Sequence, residues 1–160
     1  MKKFSLRALS VLPILALAGA AWANQPVVTV GVSISATGPA ASLGIPEKNT
    51  VDVVKTEVDG VQVKYVVLDD ATDTATAVRN MRKLISENNI DVMVGSTVTA
   101  ASLALVDVAA EAKIPLISLN GNAVVVTPQE GAKKWAFNTP LNDSLMAKAL
   151  LHAMQKQGVK

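Results

Sequence analysis

The sequence contains no cysteine among its 160 residues. This absence excludes disulfide bonds, thiol catalysis and the attachment of a lipid to an amino-terminal cysteine. The sequence has a single histidine, His152, which falls on a predicted helix among Leu and Ala residues. No acid or nucleophile is placed to partner this imidazole, so we do not expect it to be catalytic.

The usual signatures of catalysis are missing as well. The sequence has no Gly-x-Ser-x-Gly nucleophile elbow, no phosphate-binding loop ending in Gly-Lys-Ser/Thr, and no Gly-x-Gly-x-x-Gly after its first strand. It also lacks a cluster of residues with the spacing of metal ligands. The sequence therefore predicts no enzyme, no cofactor and no metal site, which leaves binding as the function.

Aromatic residues are scarce, since Phe, Trp and Tyr make up 3% of a chain that is 50% hydrophobic. The core must therefore be built from Val, Ile, Leu and Ala. That composition is typical of an α/β fold, in which strands rich in β-branched residues pack against helices rich in Ala and Leu. The length is sufficient for one ordinary domain with its own core.

The first residues have the pattern of a secretory signal. Lys2, Lys3 and Arg7 precede an apolar run at 8–18, and residues 21–23 give the small-x-small pattern that signal peptidase accepts. The alternative is a membrane anchor, but the run is shorter than the roughly 20 residues that a spanning helix needs. We predict a signal peptide over residues 1–23 and a soluble protein of an extracytoplasmic space.

The positive charge of the chain belongs to that segment. The formal net charge is +2, and removal of residues 1–23 leaves 12 basic and 13 acidic residues, a net charge of −1. Nucleic acids and anionic membranes bind proteins that carry a basic surface. Neither is therefore expected as a partner.

Beyond the signal peptide, strand patterns alternate with helix patterns. The predicted strands are 27–35, 61–68, 90–94, 114–119 and, more briefly, 134–138. The predicted helices are 47–57, a second one capped by Thr72 or Asp73 and ended at 88–89, a third at 100–112, and a last one capped by Asn142 or Asp143. The order predicts a doubly wound parallel sheet with right-handed crossovers.

The stretch from Asp91 to Ser102 is the most informative part of the chain. A buried strand ends at Gly95, hydroxyl side chains follow, and a helix rich in Ala and Leu then begins. Backbone N–H groups and the helix dipole at such a junction favour an anion. We also expect one of Ser96, Thr97 and Thr99 to cap the helix.

Three loops each follow a parallel strand, namely 37–44, 96–100 and 118–122. Parallel strands present their carboxyl ends at one edge of the sheet, so these loops are expected to lie together. They offer hydroxyls, backbone groups and Asn amides without formal charge, which suits a zwitterion or a small carboxylate. The loop at 37–44 has an alternative interpretation as a plain connector.

Two adjacent acids, Asp69 and Asp70, end the second predicted strand. Neighbouring strand residues point to opposite faces, so the pair cannot easily converge on one metal ion or one substrate atom. We interpret them as solvated loop acids that cap the following helix.

Several short motifs, taken together, resemble a known family. They are Thr37-Gly38-Pro39-Ala40-Ala41, the run 68–73, 77–79, 82–85, Val94-Gly95-Ser96, the run 108–112, and 115–118. The chain from 27 to 160 resembles the amino-terminal lobe of a periplasmic substrate-binding protein of branched-chain amino acid ABC transporters, of the leucine-binding type.

The resemblance implies a type I periplasmic binding protein fold, a two-lobed clamshell that closes on an amino acid or a related small acid. It also implies an ABC permease in the inner membrane as the partner. By similarity, the ligand contacts fall on Thr99, Asn120 and Asn122, with Ser96, Thr97, Val98 and Gly121 lining the site and Leu43 lining the side-chain pocket.

The chain departs from the family pattern in two ways. Residues 120–122 stand where small residues and a hydroxyl are usual, and Leu43 stands where an aromatic can occur, which leaves aromatic and other organic acids open as ligands. Family members also carry a second lobe. We therefore expect residues 24–160 to be the amino-terminal lobe alone, truncated before the second lobe, with weak binding, exposed apolar surface and a tendency to aggregate.

Two other functions remain open at this point. The same fold serves sensory or regulatory modules that bind amides or amino acids and control a partner protein. An exported hydrolase is the other alternative, although the arrangement of a nucleophile and its base is missing.

Overall fold

The computed structural model describes residues 26–159, so the predicted signal peptide at 1–23 lies outside the described residues. Six strands form one sheet in the order β2-β3-β1-β4-β5-β6. The strands are β1 (Val27–Ile34), β2 (Glu57–Val58), β3 (Val61–Asp69), β4 (Val92–Gly95), β5 (Leu116–Ser118) and β6 (Ala136–Asn138). The α-helices are α1 (Ala41–Val51), α2 (Thr74–Asn88), α3 (Thr99–Ala112) and α4 (Asp143–Lys156), and short 3₁₀ helices occupy Ala123–Val125 and Gly131–Trp135.

The sheet is parallel except at one edge. β1 pairs in parallel with β3 and β4, and the parallel pairing continues through β5 to β6. The predicted doubly wound α/β fold is confirmed. The exception is β2, which pairs antiparallel with β3 around Asp59 and Gly60, two residues with positive φ. A two-residue strand is too short to show a period, so the sequence predicted only the turn.

The two faces of the sheet carry different helices. On one face, α2 and α3 pack over a core that contains the fully buried Met81, Leu84, Met93, Leu105 and Leu116. On the other face lies a smaller cluster around the buried strand β1, and α1 covers this face only in part. The buried residues of both clusters are all aliphatic, as the scarcity of aromatics predicted.

The first helix differs from its prediction. The sequence predicted a loop up to residue 46 and a helix at 47–57, whereas α1 spans Ala41–Val51. The prediction was wrong because Gly44 and Pro46 were interpreted as loop punctuation, although both lie inside the helix. A Cβ at Gly44 would lie 2.0 Å from the backbone oxygen of Ser35, so glycine lets α1 approach the end of β1. Leu43 consequently belongs to a helix.

The second helix begins and ends as predicted. The Asp73 side chain caps α2 by accepting a hydrogen bond from the Thr76 backbone N–H at 2.7 Å. At the other end, Asn89 adopts the left-handed conformation, with φ 48°, that terminates many helices. Local signals therefore determine the bounds of this helix.

The last helix presents its apolar residues to solvent. Asn142 caps α4 by accepting from the Ser144 backbone N–H at 2.9 Å, as one of the two predicted caps. Leu145, Met146 and Leu150 are each more than half exposed. This confirms the expectation of exposed apolar surface.

Candidate functional site

The three predicted loops meet at one edge of the sheet, as expected. They follow β1, β4 and β5, which are neighbours and run in parallel. The Ser35 backbone N–H donates to Thr97 Oγ1 at 2.9 Å and so joins the end of β1, just before the first loop, to the second loop. Asn120 Nδ2 donates to Ser102 Oγ at 2.7 Å and joins the third loop to α3. The structure therefore brings these segments together at that edge.

The start of α3 differs from its prediction. The residue at the cap position is Val98, and no side chain caps the helix. The expectation that Ser96, Thr97 or Thr99 supplies the cap was wrong. Ser96 and Thr97 are turned toward other partners, and Thr99 already belongs to the first helical turn. N–H groups of that turn are left without a side-chain acceptor, at a helix end that favours negative charge.

Ser96 and Thr97 are both buried, and their hydroxyls are engaged inside the protein. Ser96 Oγ donates to the Asp70 carboxylate at 2.7 Å. Thr97 Oγ1 accepts from the Ser35 N–H and donates to the Glu47 carboxylate. These hydrogen bonds of the two hydroxyls hold the loop between β4 and α3 in place.

The segment 120–122 is also held by its own side chains. Asn120 Nδ2 donates to Ser118 Oγ at 2.8 Å as well as to Ser102, and Asn120 Oδ1 accepts from the Asn122 N–H at 3.2 Å. Asn122 Oδ1 in turn accepts from the Val124 N–H at 3.1 Å and caps the short helix that follows. Asn120, Gly121 and Asn122 are all half-buried.

The remaining predicted contacts lie nearer the surface. Val98 and Thr99 are half-buried at the start of α3, and Leu43 is 59% exposed on α1. Within residues 26–159 the Thr99 hydroxyl has no hydrogen-bond partner, which distinguishes it from the hydroxyls of Ser96 and Thr97. As ligand contacts, all eight residues stay predictions.

The interpretation of Asp70 as a solvated acid was wrong. Asp70 is fully buried and accepts hydrogen bonds from the hydroxyls of Ser33, Ser35 and Ser96. Those donors come from different parts of the chain, so their convergence depends on the tertiary structure. The sequence signal that could have found them is the repeated occurrence of serine where strands end at this edge.

Asp69 has the opposite environment, as the alternation of strand residues predicts. It is exposed and accepts from the Thr37 N–H at 3.2 Å, the Thr37 hydroxyl at 2.6 Å and the Ala71 N–H at 2.9 Å. Its slight burial raises the pKa of Asp69, but these hydrogen bonds outweigh burial and hold the pKa below its ordinary value. Asp69 therefore fixes the loop that follows β1.

Glu47 is a residue of the site that sequence analysis missed. It lies on α1 and is half-buried. The sequence predicted that this helix starts at residue 47, whereas it starts at Ala41. Burial raises the pKa of Glu47 above its ordinary value, the hydrogen bond from Thr97 opposes this shift, and the negative charge of Asp70 adds to it.

The raised pKa of Glu47 predicts a dependence of stability on pH. The pKa of Glu47 is higher in the folded protein than in the unfolded chain, where it has the ordinary value of 4.5. The contribution of Glu47 to stability is therefore fully present below pH 4.5 and is lost as the pH rises through the folded-state pKa. Glu47→Gln keeps an acceptor for Thr97 and removes this titration. We expect the variant to melt at a higher temperature than the parent at neutral pH, with the difference vanishing in acid. A difference that is independent of pH would contradict the prediction.

Two classes of feature are absent from the described residues. In the segment 26–159, no group of three or more His, Cys, Asp or Glu residues could hold a metal ion. The helices of that same segment include none that is long and apolar enough to cross a membrane.

Comparison with known proteins identifies the family. The sequence profile of the periplasmic binding protein family matches residues 27–160. An extracellular ligand-binding receptor from Rhodopseudomonas palustris HaA2 is 41% identical, with a TM-score of 0.76 over 82% of this chain and 36% of that one. A further receptor from the same strain is 38% identical, with a TM-score of 0.73 over 82% of this chain and 36% of that one. The search of curated proteins found no significant match.

More distant structures share the fold. A solute-binding protein of an ABC transporter from R. palustris BisB5, in complex with 3,4-dihydroxybenzoic acid, is 24% identical, with a TM-score of 0.66 over 72% of this chain and 32% of that one. A leucine-binding protein from Thermotoga maritima is 22% identical, with a TM-score of 0.67 over 82% of this chain and 38% of that one. The chain thus spans about a third of the length of the structures it matches. It belongs to the periplasmic binding protein family, a family of binding proteins rather than enzymes.

Proposed function

We propose that this chain forms one lobe of the solute-binding component of an ABC uptake system in the periplasm, with an inner-membrane permease as its partner. The ligand is a small organic carboxylate, either a branched-chain amino acid or a related acid. The observation that carries the proposal is the uncapped start of α3, where Val98 and Thr99 offer backbone N–H groups and a hydroxyl at the edge of the sheet.

The chemistry of this edge favours a carboxylate. A helix N-terminus carries a partial positive charge, and its first N–H groups need acceptors. The hydroxyls of Ser96 and Thr97, which could have capped the helix, are engaged by Asp70 and Glu47. The helix end therefore remains available to an anion from outside.

Two of the related structures support this class of ligand. One is described as a leucine-binding protein and another contains 3,4-dihydroxybenzoic acid, and both compounds carry a carboxylate. The two ligands differ in the group that carries the carboxylate, which is aliphatic in leucine and aromatic in 3,4-dihydroxybenzoic acid. The side-chain pocket, in which we place Leu43, would then select between an aliphatic amino acid and an aromatic acid.

The proposal is tested by following backbone amide signals by NMR during titration of the purified protein. The probes are leucine, isoleucine, valine and 4-hydroxybenzoate, and the matched controls are leucinamide and 4-hydroxybenzamide, which lack the carboxylate. We expect the amides of Thr99, Ala100 and Ala101 to shift with at least one acid at millimolar concentration and not with its amide. Millimolar concentrations are used because the residues of this lobe would supply only part of the contacts in a two-lobed site.

Thr99→Val is the variant that tests the hydroxyl, because valine keeps the shape of threonine. Loss of one hydrogen bond to the charged carboxylate should raise the Kd by about 10-fold or more. If no acid shifts the amides at the start of α3, or if the amide controls shift them equally, the carboxylate site is not there.

A further inference from the structure

The buried carboxylate of Asp70 has an unusual set of partners. Its Oδ2 atom accepts hydrogen bonds from Ser96 Oγ at 2.7 Å and Ser33 Oγ at 3.2 Å. Its Oδ1 atom accepts from Ser35 Oγ at 2.7 Å and from the Thr72 backbone N–H at 3.0 Å. Both oxygens are therefore satisfied by donors that come from the ends of β1, β3 and β4.

No cation neutralises this carboxylate in the part of the chain that the structure describes. The ion pairs there are Lys48 with Asp52, Arg79 with Asp73, and Lys83 with Glu87. An unpaired buried carboxylate is costly unless hydrogen bonds satisfy it. A carboxylate can only accept, so each serine that faces Asp70 must turn its hydroxyl hydrogen toward it.

Ser96 is held from two sides as a result. Its hydroxyl is fixed by Asp70, while its backbone N–H donates to Ser102 Oγ at 3.1 Å and its carbonyl accepts from the same hydroxyl at 3.0 Å. Val98, the cap residue of α3, lies two positions further on. The placement of Ser96 thus sets the direction in which the first N–H groups of α3 point.

The same hydrogen bonds continue across the sheet. Ser102 Oγ accepts from Asn120 Nδ2 at 2.7 Å, and Ser118 Oγ lies 3.0 Å from Ser102 Oγ. A continuous chain of contacts therefore runs from Asp70 through Ser96 and Ser102 to Asn120. It connects the end of β3 with the two loops that hold most of the predicted ligand contacts.

We propose that Asp70 is a positioning residue of the ligand site, which acts through Ser96 to hold the start of α3 in the geometry that accepts a carboxylate. Asp70 is fully buried and both of its carboxylate oxygens are occupied by donors of the protein, so we place it outside the predicted ligand contacts. This inference rests on the proposed function. Part of the affinity for the carboxylate then depends on a residue that is not one of the predicted ligand contacts.

The test compares variants of the whole protein in the NMR titration, with the acid that the parent binds most tightly as the probe. Asp70→Asn keeps the size of the side chain but places N–H donors against serine hydroxyls. We expect its Kd to rise about tenfold, the loss that corresponds to one hydrogen bond to a charged group. Ser96→Ala should raise the Kd by a similar factor, and Asp70→Asn should then add little in the Ser96→Ala background.

Leu84→Ala is the control for loss of stability alone. Leu84 is fully buried on α2 and lies close to Ile90. Ile90 precedes the first residue of β4, whereas the candidate site lies at the other end of that strand. We expect Leu84→Ala to lower the melting temperature with the Kd unchanged. Equal weakening by Leu84→Ala, or additive effects of Asp70→Asn and Ser96→Ala, would overturn the inference.

Two further outcomes are decisive. If Asp70→Asn does not fold, Ser96→Ala decides alone, because unchanged affinity in that variant overturns the inference. If the parent binds none of the acids, the proposed function fails, and hydrogen exchange then tests the positioning itself. Asp70→Asn should speed amide exchange at Ser96 and at the start of α3 beyond any change in Leu84→Ala, and unchanged exchange there overturns the inference.

Discussion

Gly95→Ala is expected to be strongly destabilising. Gly95 ends β4 with φ 136°, a conformation that is essentially confined to glycine, and it lies beside Ser33 of β1 in the centre of the sheet. A Cβ there would lie 2.1 Å from the Ser33 carbonyl oxygen, which belongs to the backbone and cannot move aside. Strain and overlap together should remove about 3 kcal/mol or more. This is a large part of the free energy of unfolding of a typical domain, which is roughly 5–15 kcal/mol.

Gly60→Ala is the matched control for this prediction. Gly60 also has a positive φ, 81°, but no atom lies within 4 Å of the position of an added Cβ. Only the cost of the conformation remains, about 1–2 kcal/mol. Urea unfolding followed by circular dichroism compares the two variants, and equal losses would contradict the close approach of β4 to β1 at Gly95.

Leu105→Ala should also be strongly destabilising. Leu105 lies on α3, is fully buried, and belongs to the core between that helix, α2 and the sheet. Removal of a buried leucine side chain leaves a cavity, and the expected loss in the free energy of unfolding is about 2–5 kcal/mol. The midpoint of a urea unfolding curve measures it directly.

Leu150→Ala makes the same substitution on α4, where the side chain is 62% exposed. A surface substitution usually changes the free energy of unfolding by about 0.5 kcal/mol or less. A difference between the two leucines would therefore confirm that α2 and α3, but not α4, build the core. A loss at Leu150 as large as that at Leu105 would mean that α4 packs against apolar surface in solution.

Sequence patterns were sufficient for the architecture because the signals that specify it are local. The alternation in Val27–Ile34 and the 3.6-residue period in Thr74–Asn88 reflect the geometry of single elements. Their order then requires parallel strands and places the ends of β1, β4 and β5 at one edge. Asp73 and Asn89 bound α2 through contacts within a few residues, which a sequence pattern can show.

Local signals were misleading where the tertiary structure outweighed them. Gly44 and Pro46 indicate a break in an isolated segment, yet α1 continues through both because Gly44 permits contact with the end of β1. The two-residue strand β2 exists only because β3 pairs with it.

In the candidate site, too, some features follow from local sequence and others from the tertiary structure. The sequence by itself determined which hydroxyls and amides lie at the edge of the sheet, because strand ends are specified by local pattern. Only the tertiary structure decided their partners: Ser96 binds Asp70, 26 positions away, and Thr97 binds the Ser35 N–H, 62 positions away. A hydroxyl can donate to any acceptor within reach, and which acceptor is within reach depends on how the strands pair. For that reason the structure left the start of α3 uncapped, whereas the sequence predicted a cap.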